Sequence, residues 1–310
     1  MRDLLRIFVA IILSFHFQLT KASECLENWP YGFNGLYPHL IADETFCISY
    51  GRGQIDVITD TLGRRTIGSK SSNRAETYAF GDSQLLGYDD ESHHLLTLDP
   101  QSKLVLHAAP NNGPYEYLNW YRVSQLDSVA HIIFGFNLST DIFRILPGWK
   151  PQDHVLLDSA SLRLYYDYPL LHYLKGIATV FSDNPKVSLK AVEAGPEMAE
   201  RFFNLSEKQL REAADQLGDV FQYSLKQRPS PVRKTFLIYQ PFWVSELNFK
   251  ETLKLGEFAR YLGCVVKQKT GAEVLFAAPE TQSMNALSLD RRHWRQSSLA
   301  ISQLQLSCGT

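Results

Sequence analysis

Gly81-Asp82-Ser83 closes an apolar run, Thr77-Tyr78-Ala79-Phe80, and is followed by Gln84-Leu85-Leu86-Gly87, residues able to start a helix. A serine at the C-terminal tip of a strand in an α/β sheet sits where such sheets gather their ligands. Ser83 is therefore a candidate nucleophile, although the tripeptide alone also describes an ordinary bend. Acyl transfer by serine further needs a base, a group that orients the base, and donors aimed at the developing oxyanion. Residues of each type follow in chain order. Pro110-Asn111-Asn112-Gly113-Pro114 is a turn in which Gly113 can present its backbone N–H, and Gly135-Phe136-Asn137 puts a carboxamide at the end of a later apolar run. Asp290-Arg291-Arg292-His293 brings a carboxylate and an imidazole within one turn of each other. Asp90 and His93 repeat that spacing, so position must discriminate. Only Asp290 and His293 follow the last apolar run, from which a loop can return over the tip of the first. His94, His107 and His154 have no such positional argument.

These groups meet only if the intervening elements place them at one rim. Strand candidates are Thr77 to Phe80, Leu104 to Ala108, His131 to Phe136, Thr235 to Tyr239 and Ala272 to Ala277. Helical stretches separate several of them. Pro114 to Leu126 begins with a proline suited to a first turn. Ser206 to Leu225 opens with the capping-box pair Ser206 and Gln209, and its Leu210, Ala213, Ala214, Leu217, Val220 and Phe221 recur at helical spacing. Asn248 to Leu262 behaves in the same way. Repeated β-α units with near-continuous apolar strands predict a doubly wound α/β domain, its parallel sheet covered on both faces.

That domain is expected over residues 73–310. Residues 23–72 are expected to form a β extension, with Thr45 to Tyr50 and Gln54 to Thr59 as a hairpin laid against it. Arg64 to Arg74 is polar and Ser-rich, and reads as a loop. The stretch from about 141 to 205 interrupts the alternation and is rich in aromatic residues, so it reads as an insertion, either a substrate surface or a small subdomain with its own core.

The chain has 310 residues, 45% of them hydrophobic and 21% charged, enough apolar material for one large domain. A formal charge of −2 gives no basic field for a nucleic acid, which is not expected as a partner. Arg2 and Arg6 precede the apolar run Ile7 to Leu19 and the small residues near Ala22, so residues 1–22 read as a signal peptide, with an uncleaved anchor as the alternative. No stable membrane span is expected after cleavage, and a periplasmic or secreted location follows. Cys25, Cys47, Cys264 and Cys308 fit disulfides in such a compartment. Three pairings are possible, and proximity in sequence favours Cys25 with Cys47 and Cys264 with Cys308. None has metal-ligand spacing, and neither a metal nor a cofactor is expected. Asn137-Leu138-Ser139 and Asn204-Leu205-Ser206 are glycosylation sequons, the first discounted because a glycan there would block the crevice.

Taken together and in order, Gly81-Asp82-Ser83, Gly113, Gly135-Phe136-Asn137 and Asp290-x-x-His293 resemble the blocks of the SGNH (GDSL) hydrolase superfamily, over residues from about 60 to 305. Asp60-Thr61-Leu62-Gly63-Arg64-Arg65 resembles the lead-in of some bacterial members. The resemblance implies a flavodoxin-like three-layer sandwich in which Ser83 is the nucleophile, His293 its general base, and Asp290 the group orienting the imidazole. The backbone N–H groups of Ser83 and Gly113 and the side chain of Asn137 would form the oxyanion hole. The implied activity is that of an exported serine esterase cleaving acyl esters, acetyl esters above all, of a carbohydrate or other small molecule. An O-acyltransferase working with envelope polysaccharide machinery and a non-catalytic envelope binding or assembly protein are the alternatives. Gln84 differs from what many members carry after the serine, a departure expected to matter little.

Overall fold

The computed structural model describes residues 25, 31–33, 38–40, 43–50, 53–68, 75–87, 93–108, 113–138, 140–145, 197–281, 286–287, 293–306 and 308. The expected signal peptide, Asp290, Asp90, His154, the turn 110–112 and most of the 141–205 insertion lie outside them.

Two short strands, β1 (Tyr31–Phe33) and β2 (Pro38–Leu40), pair with each other. All the other strands among the described residues join one nine-stranded sheet. In chain order they are β3 (Thr45–Tyr50), β4 (Gly53–Thr59), β5 (Arg65–Ile67), β6 (Glu76–Gly81), β7 (Lys103–Ala108), β8 (Val129–Asn137), β9 (Arg233–Tyr239), β10 (Glu273–Pro279) and β11 (Leu299–Gln303). Among the described residues the helices are α1 (Ser83–Leu86), α2 (Pro114–Val123), α3 (Glu207–Gln227) and α4 (Phe249–Thr270). A further helical stretch covers 197–203.

The sheet order is β11-β10-β9-β8-β6-β7-β5-β4-β3. Strands β6 to β10 are mutually parallel, and numbering those five in chain order gives 2-1-3-4-5, the order of a doubly wound α/β sheet. The sheet as a whole is mixed, which corrects the all-parallel expectation. At one side β5, β4 and β3 extend it antiparallel from β7, and at the other β11 runs antiparallel to β10. The N-terminal hairpin is thus hydrogen-bonded into the sheet plane through β5 instead of lying against a finished domain. Arg65-Thr66-Ile67, expected within a loop, is the strand that makes this join. Three residues with one aliphatic side chain carry no strand pattern of their own; the open edges of β4 and β7 supply it.

Side chains alternate between two differently furnished faces. On one, Phe80, Phe134 and Phe236 meet α2 and α3: Phe80 and Tyr121 rings are 6.2 Å apart, Phe134 and Phe221 5.0 Å, Phe221 and Phe236 5.3 Å. Replacing a ring buried like this by alanine typically costs about 3–5 kcal/mol. Helix α4 shares that face, with Gly263 close to Val274 and its neighbour α3 close enough at Gly218 that a Cβ there would lie 2.6 Å from Val265. Both long helices start on capping boxes, Ser206 with Gln209 and Asn248 with Glu251, and α4 stops at Gly271 in the left-handed conformation (φ 71°). The opposite face carries short pieces: α1, the 3-10 turn His94–Thr97 and residues 293–298, which meet Gly135, Tyr239 and Arg65 through Leu85, His94 and Gln296.

Disulfides join Cys25 to Cys47 and Cys264 to Cys308. The pair fits an oxidising, extracytoplasmic environment. No helix among the described residues is long and apolar enough to cross a membrane.

Candidate active site

Each residue of Gly81-Asp82-Ser83 has a separate physical role. A Cβ on Gly81 would stand 2.7 Å from the Leu85 side chain, and one on Gly135 of the next strand 3.2 Å from it, so these two glycines let α1 settle onto the sheet. Asp82 is the N-cap of α1: its backbone is extended and Oδ1 accepts the Gln84 N–H at 2.8 Å. Ser83 is then the first helical residue, where a backbone N–H has no acceptor within the helix. The far end of α1 is held by buried Arg65, whose Nη1 donates to the carbonyls of Leu86 and Gly87, both at 2.8 Å. Gly87 (φ 68°) takes a left-handed bend that other residues resist.

The turn sits between β6 and β8, the place where strand order reverses and doubly wound sheets open a crevice. Ser83 Oγ lies 2.7 Å from His293 Nε2, although 210 residues separate them. Both side chains are half-buried. With the imidazole proton on Nδ1, Nε2 accepts from the serine hydroxyl, the arrangement a general base requires.

Asn137 ends β8 beside this pair. Its Nδ2 donates to Asp82 Oδ2 at 2.9 Å, which fixes the orientation of the amide because a carboxylate only accepts. Its backbone N–H donates to Asp141 Oδ2 at 2.8 Å, and Tyr117 Oη donates to the same oxygen at 2.8 Å. Asp141 is fully buried, so strand β8, helix α2 and the turn Asp141–Arg144 converge on one carboxylate.

Gly113, the other expected oxyanion donor, is the buried N-cap of α2, and its N–H donates to Glu116 Oε2 at 2.8 Å. That donor is thus engaged by the Glu116 carboxylate in this arrangement. Asp290 lies outside the described residues.

No protein-family model, curated protein or solved structure matches the chain.

What the site can do is therefore read from its own atoms, and sequence reasoning passed over several of them. Gln84, expected to matter little, joins the serine turn to the histidine segment. Its Oε1 accepts the Trp294 N–H at 2.8 Å while its Nε2 donates to the Trp294 carbonyl at 3.0 Å. Gln296 Nε2 donates to the Gln84 carbonyl at 2.5 Å, and Gln296 Oε1 meets His94 Nδ1 at 2.6 Å. The Tyr239 hydroxyl completes the chain at 3.0 Å from His94 Nε2. Burial lowers the His94 pKa to about 4, against the opposing pull of Gln296, so the ring is neutral at pH 7. A neutral ring whose Nδ1 donates to Gln296 must accept from Tyr239 at Nε2, and burial, with Asp82 nearby, raises the Tyr239 pKa well above its usual value. His93, which shares its spacing with the catalytic candidate, is structural. Its Nε2 bonds the Leu85 carbonyl at 2.7 Å, and burial, chiefly, holds its pKa well below the usual range. The only signal for these residues was a cluster of polar types around the serine turn and the last histidine. No spacing rule links a glutamine to a backbone 210 residues away.

Proposed function

We propose that this chain is a serine hydrolase of SGNH type that cleaves acyl esters through an acyl-enzyme. The observation that carries the reading is the 2.7 Å approach of Ser83 Oγ and His293 Nε2 at the point where strand order reverses in a sheet ordered 2-1-3-4-5. In the proposed cycle, Ser83 Oγ attacks the ester carbonyl carbon and its proton passes to His293 Nε2. The tetrahedral oxyanion is met by the Ser83 N–H and the second Nδ2 hydrogen of Asn137, with the Gly113 N–H joining once it leaves Glu116. Collapse breaks the bond to the alcohol, which takes the proton from His293. Water then attacks the acyl-serine carbonyl, losing its proton to His293; collapse breaks the bond to Ser83 Oγ, which takes that proton back, and the carboxylic acid leaves. Asp290 orients the imidazole in this scheme. Donors fixed before charge develops are worth about 10²–10³ in turnover apiece.

The disulfides support an exported enzyme, periplasmic or secreted. The resemblance of the motif blocks favours a small acyl group, acetyl above all, on a carbohydrate. Purified protein assayed on p-nitrophenyl acetate tests the reading: turnover abolished by Ser83→Ala supports it, and turnover that survives the substitution, or none in the wild type, refutes it.

A further inference from the structure

We infer that Gln84 is a positioning residue, which holds the histidine segment against the serine turn by hydrogen-bonding both backbone groups of Trp294. This inference deepens, and rests on, the Ser83–His293 reading.

Residue 293 belongs to a stretch with little regular structure. Its neighbour Trp294 forms an isolated bridge to Leu287, and the 3-10 turn Gln296–Ser298 follows. Hydrogen bonds must therefore fix the imidazole where a helix or strand does not. The Gln84 carboxamide is buried and presents one acceptor and one donor to Trp294 in the way a neighbouring β-strand would. Gln296 returns a bond to the Gln84 carbonyl, so the two segments are tied at three points around the serine–histidine contact. Trp294 Nε1 adds an anchor on the Gln240 carbonyl at 2.7 Å, beyond the tip of β9. Gln84 is adjacent in sequence to Ser83, and Trp294 to His293, so the pairing transmits the position of the turn directly to the base. Rotation of the Gln84 amide by half a turn would set donor against donor and acceptor against acceptor, which makes the clamp specific to one orientation.

Two substitutions separate this role from bulk. Gln84→Met keeps the length of the side chain and removes both hydrogen bonds. Gln84→Glu restores one donor and one acceptor only when its carboxyl is protonated. The test measures hydrogen exchange at the Trp294 amide and the rate at which a fluorophosphonate labels Ser83, each across pH 5 to 8. In Gln84→Met the expected results are loss of protection at Trp294, retained protection along β6 and β8, and labelling about 10²-fold slower, as small misplacements of reacting groups cause. Gln84→Glu is expected to approach the wild-type labelling rate as the pH falls, which a purely structural role would not produce. Wild-type protection and labelling in Gln84→Met, or a Gln84→Glu deficit that is constant with pH, would overturn the inference. Absence of labelling in the wild type would instead overturn the serine-hydrolase reading, while Trp294 protection still reports on the clamp.

Discussion

Asp82 and Asn137 are joined side chain to side chain, Nδ2 to Oδ2 at 2.9 Å, across the tips of two adjacent parallel strands. Asp82 thereby caps α1 with one oxygen and aims the Asn137 amide with the other. The two roles are separable. Asp82→Asn retains a capping oxygen, so the folded state should lose well under about 1 kcal/mol from the cap, but it sets an amide nitrogen against Asn137 Nδ2 if the cap is kept. The expected outcome is a fall in kcat of about 10²-fold, the scale of one oxyanion donor, together with a stability loss of about 1–3 kcal/mol from the opposed buried amides. An unchanged kcat and Tm would show that Asp82 serves only the helix.

Glu116 accepts the Gly113 N–H at 2.8 Å, so in the proposed cycle it would compete with substrate for that donor. Glu116→Ala should cost about 0.5–2 kcal/mol of stability through the lost capping interaction, yet raise the rate of serine acylation by freeing a donor. Denaturation curves and burst-phase kinetics on the purified variant measure the two effects. An acylation rate that does not rise would remove Gly113 from the oxyanion hole.

Acid should destabilise this protein before its carboxylates protonate. Burial lowers the pKa of His94 and of His131 to about 4, the latter aided by Arg233. A histidine depressed in the folded state is neutral there while its unfolded counterpart, near 6.5, takes up a proton. The stability is therefore intact above about pH 6.5 and is lost as pH falls toward 4, by up to about 1.4 kcal/mol per pH unit for each such histidine. His131→Gln retains a donor for Thr235 Oγ1, which His131 Nε2 meets at 2.8 Å, and does not titrate. Urea denaturation from pH 7.5 to 4.5 should give a shallower loss in this variant than in the wild type. Parallel losses would contradict the assignment.

The Cys264–Cys308 disulfide closes a 44-residue separation that contains β10, His293 and β11. Chain-entropy reasoning assigns such a loop about 4 kcal/mol. The double variant Cys264→Ser with Cys308→Ser should lower the unfolding free energy by about 2–5 kcal/mol, and a change below about 1 kcal/mol would show that the C-terminal segment is held without it.

The parts of this fold that were legible in the sequence are those with a period. Helix α3 was readable from Ser206, Gln209 and the recurrence of Leu210, Ala213, Leu217 and Phe221, because a helix that covers a sheet must repeat its apolar face. Ser83, Asn137 and His293 could be singled out because each ends or follows an apolar strand, and the structure brings Ser83 and His293 into contact. The hairpin β3–β4 was legible too, but the way the edges join the sheet was not. Strands β5 and β11 owe their conformation to the open ladders beside them, and the resulting mixed sheet could not be read from alternation alone. Gln84 and His94 were passed over for a different reason: their partners are a distant backbone, a glutamine and a tyrosine, and a neutral buried network has no spacing that marks it.

In the proposed cycle one serine hydroxyl, that of Ser83, is activated by one imidazole, that of His293. This activation is tested most directly by treating the purified protein with a fluorophosphonate, mapping the adduct by peptide mass spectrometry, and timing its formation. The expected result is a single adduct on Ser83, absent in Ser83→Ala and formed at least about 10³-fold more slowly in His293→Gln. An adduct on another residue, or an equal rate in His293→Gln, would contradict the account.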